Sequence, residues 1–167
     1  MHIERNAMQS IFAHIQEILV DEGFNLTSTP PTATITMAYP KKDDLQTIIK
    51  PLIIVNNLAG NDFAVEIGSK DATRLLVDID LYAKDDGQRD DLGYILRTSF
   101  RNNRLAVYNF DDGFPTSIGD YTGISTRGKM TIMGTQYNNM DPQLYDTQDL
   151  GHHQVITLDI ILPVDVT

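Results

Sequence analysis

The chain has 167 residues, 41% of them hydrophobic, no cysteine and a formal net charge of −10. Its length suits one domain with a real core and cramps two. The missing cysteines exclude disulfides and thiolate metal sites and are compatible with assembly in the cytosol. The acidic balance argues against general binding to a phosphate backbone, which needs Lys and Arg to displace counterions.

The first element reads as a helix. Ile3, Ala7, Met8, Ile11, Phe12, Ile15, Ile18 and Leu19 form one stripe between Ile3 and Val20, and Gly23 is a natural stop. Met1 to Ser10 carries Glu4 and Arg5 and is unlike a secretion signal. No apolar run approaches the ~20 residues of a membrane helix. His14 lies off the centre of the stripe and reads as a solvated or edge histidine. Pro30 and Pro31 then favour extended chain. Ala33, Ile35, Met37 and Tyr39 alternate with small polar residues, which predicts a strand. A polar turn follows over 41–44, then a helical turn or strand start over 45–50. Leu52 to Val55 predicts a second strand. Asn57, Gly60 and Asn61 predict a turn over 56–62, and Phe63, Val65 and Ile67 another strand.

The stretch from Leu75 to Asn103 organises the rest. Leu75, Val77, Ile79 and Leu81 point one way and Leu76, Asp78, Asp80 and Tyr82 the other, the period of a strand with one buried face. Leu92, Ile95, Leu96, Ser99 and Phe100 then recur at helical steps. Asp85 or Asp86 suits the start of that helix and Asn102 and Asn103 its end.

Leu105 to Phe110 reads as a short strand. Asp111 to Lys129 is rich in glycine yet holds Phe114, Ile118, Tyr121 and Ile124, so something covers it, either this chain or a partner. Met130 to Gln136 and Val155 to Val164 read as strands, with a polar segment from Tyr137 to His153 between them. The order predicts a single α+β domain over 1–167: a mainly antiparallel sheet flanked by an N-terminal helix and a central amphipathic helix, with long loops at about 111–129 and 137–153.

Little of this points to catalysis. Asp78 and Asp80 share a strand face, and paired carboxylates can hold Mg²⁺ or Ca²⁺ or do acid–base work. No phosphate loop or metal-loop spacing accompanies them, while Asp85, Asp86, Asp90 and Asp91 suit a helix start. His152 and His153 are neighbours in extended chain and face opposite ways. Arg97, Arg101 and Arg104 fit the negative end of the helix dipole. We expect no enzyme activity, metal or cofactor; a metal-assisted hydrolase using Asp78 and Asp80 is the competing class.

The order of elements, with LLVDIDLYAKDDGQ leading into DDLGYILRTSF and ITLDIILPV closing the chain, resembles the tail terminator (tail completion) proteins of tailed bacteriophages. The resemblance covers about Met1 to Phe110 and the last strand. It implies a non-enzymatic virion protein at the head–tail junction, assembled in the host cytoplasm. Such proteins form a ring, commonly of six subunits, on the end of the tail tube. The ring stops tube growth, meets the head connector and, in contractile tails, the sheath. DNA passes through without specific binding, and no membrane is involved. An acidic protein fits such a lumen. A cyclic ring needs two different patches on each subunit. The expected patches are the outer face of the central helix (Arg89, Asp90, Tyr94, Arg97) and the loop bearing Phe114, Ile118, Tyr121 and Ile124. A head-completion or neck adaptor protein is the alternative within the same biology.

Overall fold

The computed structural model describes residues 2–64, 71–101, 104–140 and 152–163. Helix α1 (Ile3–Asp21) opens the chain and buries its stripe, with Ala7, Ile11, Ile15 and Leu19 fully covered. It stops where Gly23 takes φ +86°, a conformation that glycine adopts without a Cβ clash. There the Gly23 and Phe24 amides donate to the Val20 and Leu19 carbonyls, both at 2.9 Å, which satisfies the helix end.

Strand β1 (Thr34–Thr36) is shorter than its alternation predicts. The Thr36 hydroxyl accepts the Ala38 amide at 3.1 Å, a local bond that competes with a sheet ladder. Strand β2 (Leu52–Ala64) corrects the predicted turn over 56–62, because the chain stays extended through it. A register shift between Asn57 and Ala59 absorbs Leu58. At Gly60 an added Cβ would lie 3.2 Å from Leu75 Cδ2. That glycine therefore serves close approach rather than reversal. Residues 65–70, Asn102, Asn103, 141–151 and 164–167 lie outside the described residues. They include parts of the strands, turn, helix stop and second loop expected above.

Strand β3 (Asp71–Tyr82) feeds helix α2 (Asp86–Phe100). Asp85 is the N-cap and accepts the Gln88 amide at 2.8 Å, while Gln88 Oε1 accepts the Lys84 amide at 2.9 Å. Strands β4 (Arg104–Tyr108), β5 (Thr126–Asn139) and β6 (His153–Ile161) complete the α+β fold. β5 starts earlier and ends later than predicted, taking in Thr126 to Lys129 and Tyr137 to Asn139.

The sheet order is β1-β2-β3-β6-β5-β4, antiparallel except for β1 beside β2. Leu75, Val77, Ile79 and Leu81 of β3 and Ile156, Leu158 and Ile160 of β6 form the core with both helices. α2 lies on β6, β3 and β5, while α1 touches β1, β2 and β4. One helix thus contacts both edge strands, and the sheet curls around it. On the other face, residues before Pro51 cover a smaller cluster of Leu45, Leu52, Ile54 and Tyr82.

Candidate functional site

Two clefts, sharing no residue, collect most of the expected interface positions. The first, of about 370 Å³, runs between the C-terminal half of α2 and β5 and is lined by Tyr94, Arg97, Thr98, Arg101, Ile132, Met133 and Tyr137, among others. A bulge builds it. The β5–β6 register shifts between Ile132 and Gly134, so Met130 and Ile132 face the core before the shift and Thr135 and Tyr137 face the helix side after it. Met133 is left 60% exposed. Tyr137 comes to rest under α2, with the Arg97 guanidinium 3.6 Å from its ring centroid. Arg97 also donates from Nε to the Gly93 carbonyl at 2.9 Å. The ring and the carbonyl hold the guanidinium in place, at a gain of about 0.5–1 kcal/mol from the ring where exposed. Tyr94, 64% exposed, stands at the rim.

The second cleft, of about 350 Å³, lies between α1 and the glycine-rich loop. Gln9, Phe12, Ala13 and Gln16 form one wall; Phe110, Phe114, Pro115, Ile118 and Tyr121 belong to the other. Phe114 stacks on buried Phe110 at 5.4 Å and remains 61% exposed. Tyr121 stacks on Tyr108 at 3.8 Å, and its hydroxyl donates to Glu17. Burial, then the bond to Glu17, raises the Tyr121 hydroxyl well above its usual range.

Two aspartates shape this loop. Asp112 accepts the Ser125 amide at 3.0 Å, the Ser125 hydroxyl, and Asn109 Nδ2 at 3.0 Å. Asp120 accepts the Thr122 hydroxyl at 2.7 Å and amide at 3.1 Å. The bonds from Ser125 and from Thr122 hold the two carboxyls below the usual carboxylate range. The long segment is therefore a bracketed loop with its own hydrogen bonds, and its apolar residues are partly covered by α1.

Not every expected residue joins these clefts. Arg89 is only 14% exposed and pairs with Asp86 at 2.7 Å and Asp90 at 2.9 Å, at the opposite end of α2 from Arg97. Ile124 donates its amide to the Tyr121 carbonyl at 3.0 Å and lines neither cleft. Conversely, Met133 was not expected at an interface, and Tyr137 was expected to begin a loop rather than to lie in β5. The glycine at 134 inside a strand pattern was the one signal of the bulge that places them. For Glu17 no such signal exists, because it meets Tyr121 only through the fold.

The carboxylates weighed for metal chemistry have protein partners. Asp78 accepts the Thr157 hydroxyl at 2.6 Å. Asp80 and His153 are both buried, with Oδ1 and Nε2 2.7 Å apart, and Tyr82 stacks on the imidazole at 4.0 Å. Burial, followed by a hydrogen bond to Asp80, pushes the Tyr39 hydroxyl far above its usual range. His152 turns instead to Asp86 at 2.9 Å, so the adjacent histidines serve separate carboxylates. Among the described residues no cluster of three or more metal-ligating side chains forms. No protein-family model and no curated protein matches this chain.

Proposed function

We propose that this chain is a structural protein of a tailed-phage virion, a tail terminator whose copies form a ring on the tail tube and meet the head connector. The observation that carries the reading is the pair of exposed aromatic clefts on one small α+β domain. One is rimmed by Tyr94, Met133 and Tyr137, the other by Phe114. Isolated exposed apolar residues are ordinary, but groups of them around clefts mark contact surfaces. A ring subunit capping a tube needs separate surfaces for its neighbours and for the tube. The resemblance in element order and the net charge of −10, suited to a lumen that DNA crosses without sticking, support the same reading.

The reading assigns no catalysis and no cofactor to the chain. Electron microscopy of the protein mixed with its tail tube protein tests it. A ring on one tube end is the expected result, and protein that ignores the tube overturns it. Co-purification with portal or adaptor rather than tube would transfer the protein to the head side of the neck. A melting temperature raised by Mg²⁺, Mn²⁺ or Ca²⁺ would reopen the hydrolase class.

A further inference from the structure

We propose that copies of this chain dock head to tail through the two flanks of α2, the Arg97–Arg101 cleft of one copy receiving the Glu22–Asp91 groove of the next. The arrangement rests on the ring reading above for its closure, though not for the contact itself.

Successive residues of a helix turn by about 100°. Leu92, Leu96 and Phe100 therefore point into the core, where they are buried. Tyr94, Thr98 and Arg101 fall on one flank, toward β5, and Asp91 and Ile95 on the other, toward the end of α1. The first flank is the cleft described above. Among the described residues, its lining carries two guanidinium groups and no carboxylate. The second flank is a groove of about 450 Å³ lined by Glu22, Phe24, Asp85, Asp91, Leu92 and Ile95, together with Gly87 and Gln88. Among the described residues it carries three carboxylates and no cation.

Each has an apolar floor beneath its charges: Ile132 and Met133 in one, Phe24, Leu92 and Ile95 in the other. Among the described residues, no carboxylate pairs with Arg97 or Arg101, and no cation pairs with Glu22 or Asp91. Charges left unmatched among the described residues of one copy are thus matched between two.

Net charge narrows the choice of occupant. With 23 acidic and 13 basic residues, two copies repel at most orientations, and close contact favours a place where cations gather opposite acids. The two flanks differ in charge, and a pairing that engages one flank of each copy and leaves its other flank free is heterologous. Repeating it turns each copy by the same rotation and gives a ring if that rotation closes. The Phe114 cleft is left free for the tube or the connector.

Charge reversal tests the contact. Asp91 and Arg101 are both exposed, so Asp91→Lys and Arg101→Glu should leave the far-UV spectrum and melting temperature near those of the wild type. Self-association is read by analytical ultracentrifugation in ~50 mM salt, where surface charges are weakly screened. Each single reversal should weaken association by roughly tenfold, and the double variant Asp91→Lys/Arg101→Glu should recover most of it. Wild-type protein still monomeric at ~1 mM, single variants that associate as well as wild type, or a double variant no better than the singles would each overturn the proposal. Should Arg101→Glu impair tube capping by a protein that is otherwise monomeric, the cleft serves an acidic partner instead, and self-docking is overturned. Protein that associates through these charges yet ignores the tube would keep the docking and remove the terminator reading.

Discussion

Gly93 sits in the middle of α2, where glycine costs a helix about 1 kcal/mol relative to alanine. An added Cβ there would come 2.1 Å from Gln154 Oε1 and 2.9 Å from its Cδ. Gln154 is buried and donates from Nε2 to Asn139 Oδ1 at 2.6 Å, so it has little room to retreat. Gly93→Ala should therefore destabilise the protein, by about 1–3 kcal/mol, despite the better helix propensity. Urea denaturation checks the sign, and adding Gln154→Ser should return most of the loss. His14 shows a different kind of constraint. Its Nε2 is buried without a hydrogen-bond partner, and its ring meets Phe100 edge-on at 5.1 Å. Burial lowers its pKa below the usual 6.5, against a smaller raising effect from Glu17. The native state then binds a proton less readily than the unfolded chain. Stability on this account is full above about pH 6.5 and falls as the pH drops toward the lowered folded value. His14→Leu should remove that part of the acid sensitivity, seen as a flatter melting temperature between pH 7 and pH 5. The sequence placed His14 at the edge of its stripe, as found, but nothing local announces that Phe100 closes over it.

The elements most legible in the sequence were those whose apolar spacing was unbroken. α1, the buried face of β3 and the stripe of α2 lie where their periods put them, because one face of each meets one core. Asp85 was also readable as a cap. The failures share a cause: partners distant in sequence. Asn57, Gly60 and Asn61 have turn chemistry, yet β3 supplies a ladder that keeps them extended. In β5 the alternation breaks at Met133, and only pairing with β6 decides which face each later residue takes. Polar Asn6 and Ser10 sit buried on the stripe of α1 for a similar reason. Asn6 Oδ1 accepts the Phe110 amide at 3.2 Å, and Ser10 Oγ accepts the Tyr108 amide at 3.0 Å. The bulge gives a sharp prediction. Deleting Met133 should remove the bulge and restore simple alternation, leaving Thr135 and Tyr137 on the helix side opposite Leu158 and Ile156. The ring-current shifts of the Arg97 side-chain protons, expected in the wild type, should then persist in the NMR spectrum, and their loss would mean that the bulge itself orients the Tyr137 ring.

Across the whole molecule, acidic charge outweighs every local pair. Of the ion pairs among the described residues, Arg74–Asp159 is at the surface, and the largely covered Arg89 pairs with two exposed carboxylates; pairs so open to solvent contribute little. A net charge of −10 on a chain of this size leaves the folded state with self-repulsion that salt screens. Raising NaCl from about 0.05 to 0.5 M should raise the melting temperature of the monomer by a few degrees. A fall would mean that attractive surface pairs dominate after all.

The curl of the sheet around α1 also sets an order of events in time. The helix that closes both edges is made first, whereas its hydrogen bonds to Tyr108 and Phe110 reach 98 and 104 residues along the chain. At the ~5–20 residues per second of synthesis, α1 waits roughly 5–20 s for the strand that covers it. Contacts this distant in sequence also slow folding after release. During that interval its apolar stripe is open to whatever is nearby, including the same stripe on another nascent chain. Yield in expression should therefore depend on temperature and on chaperones more steeply than the stability of the finished domain would suggest.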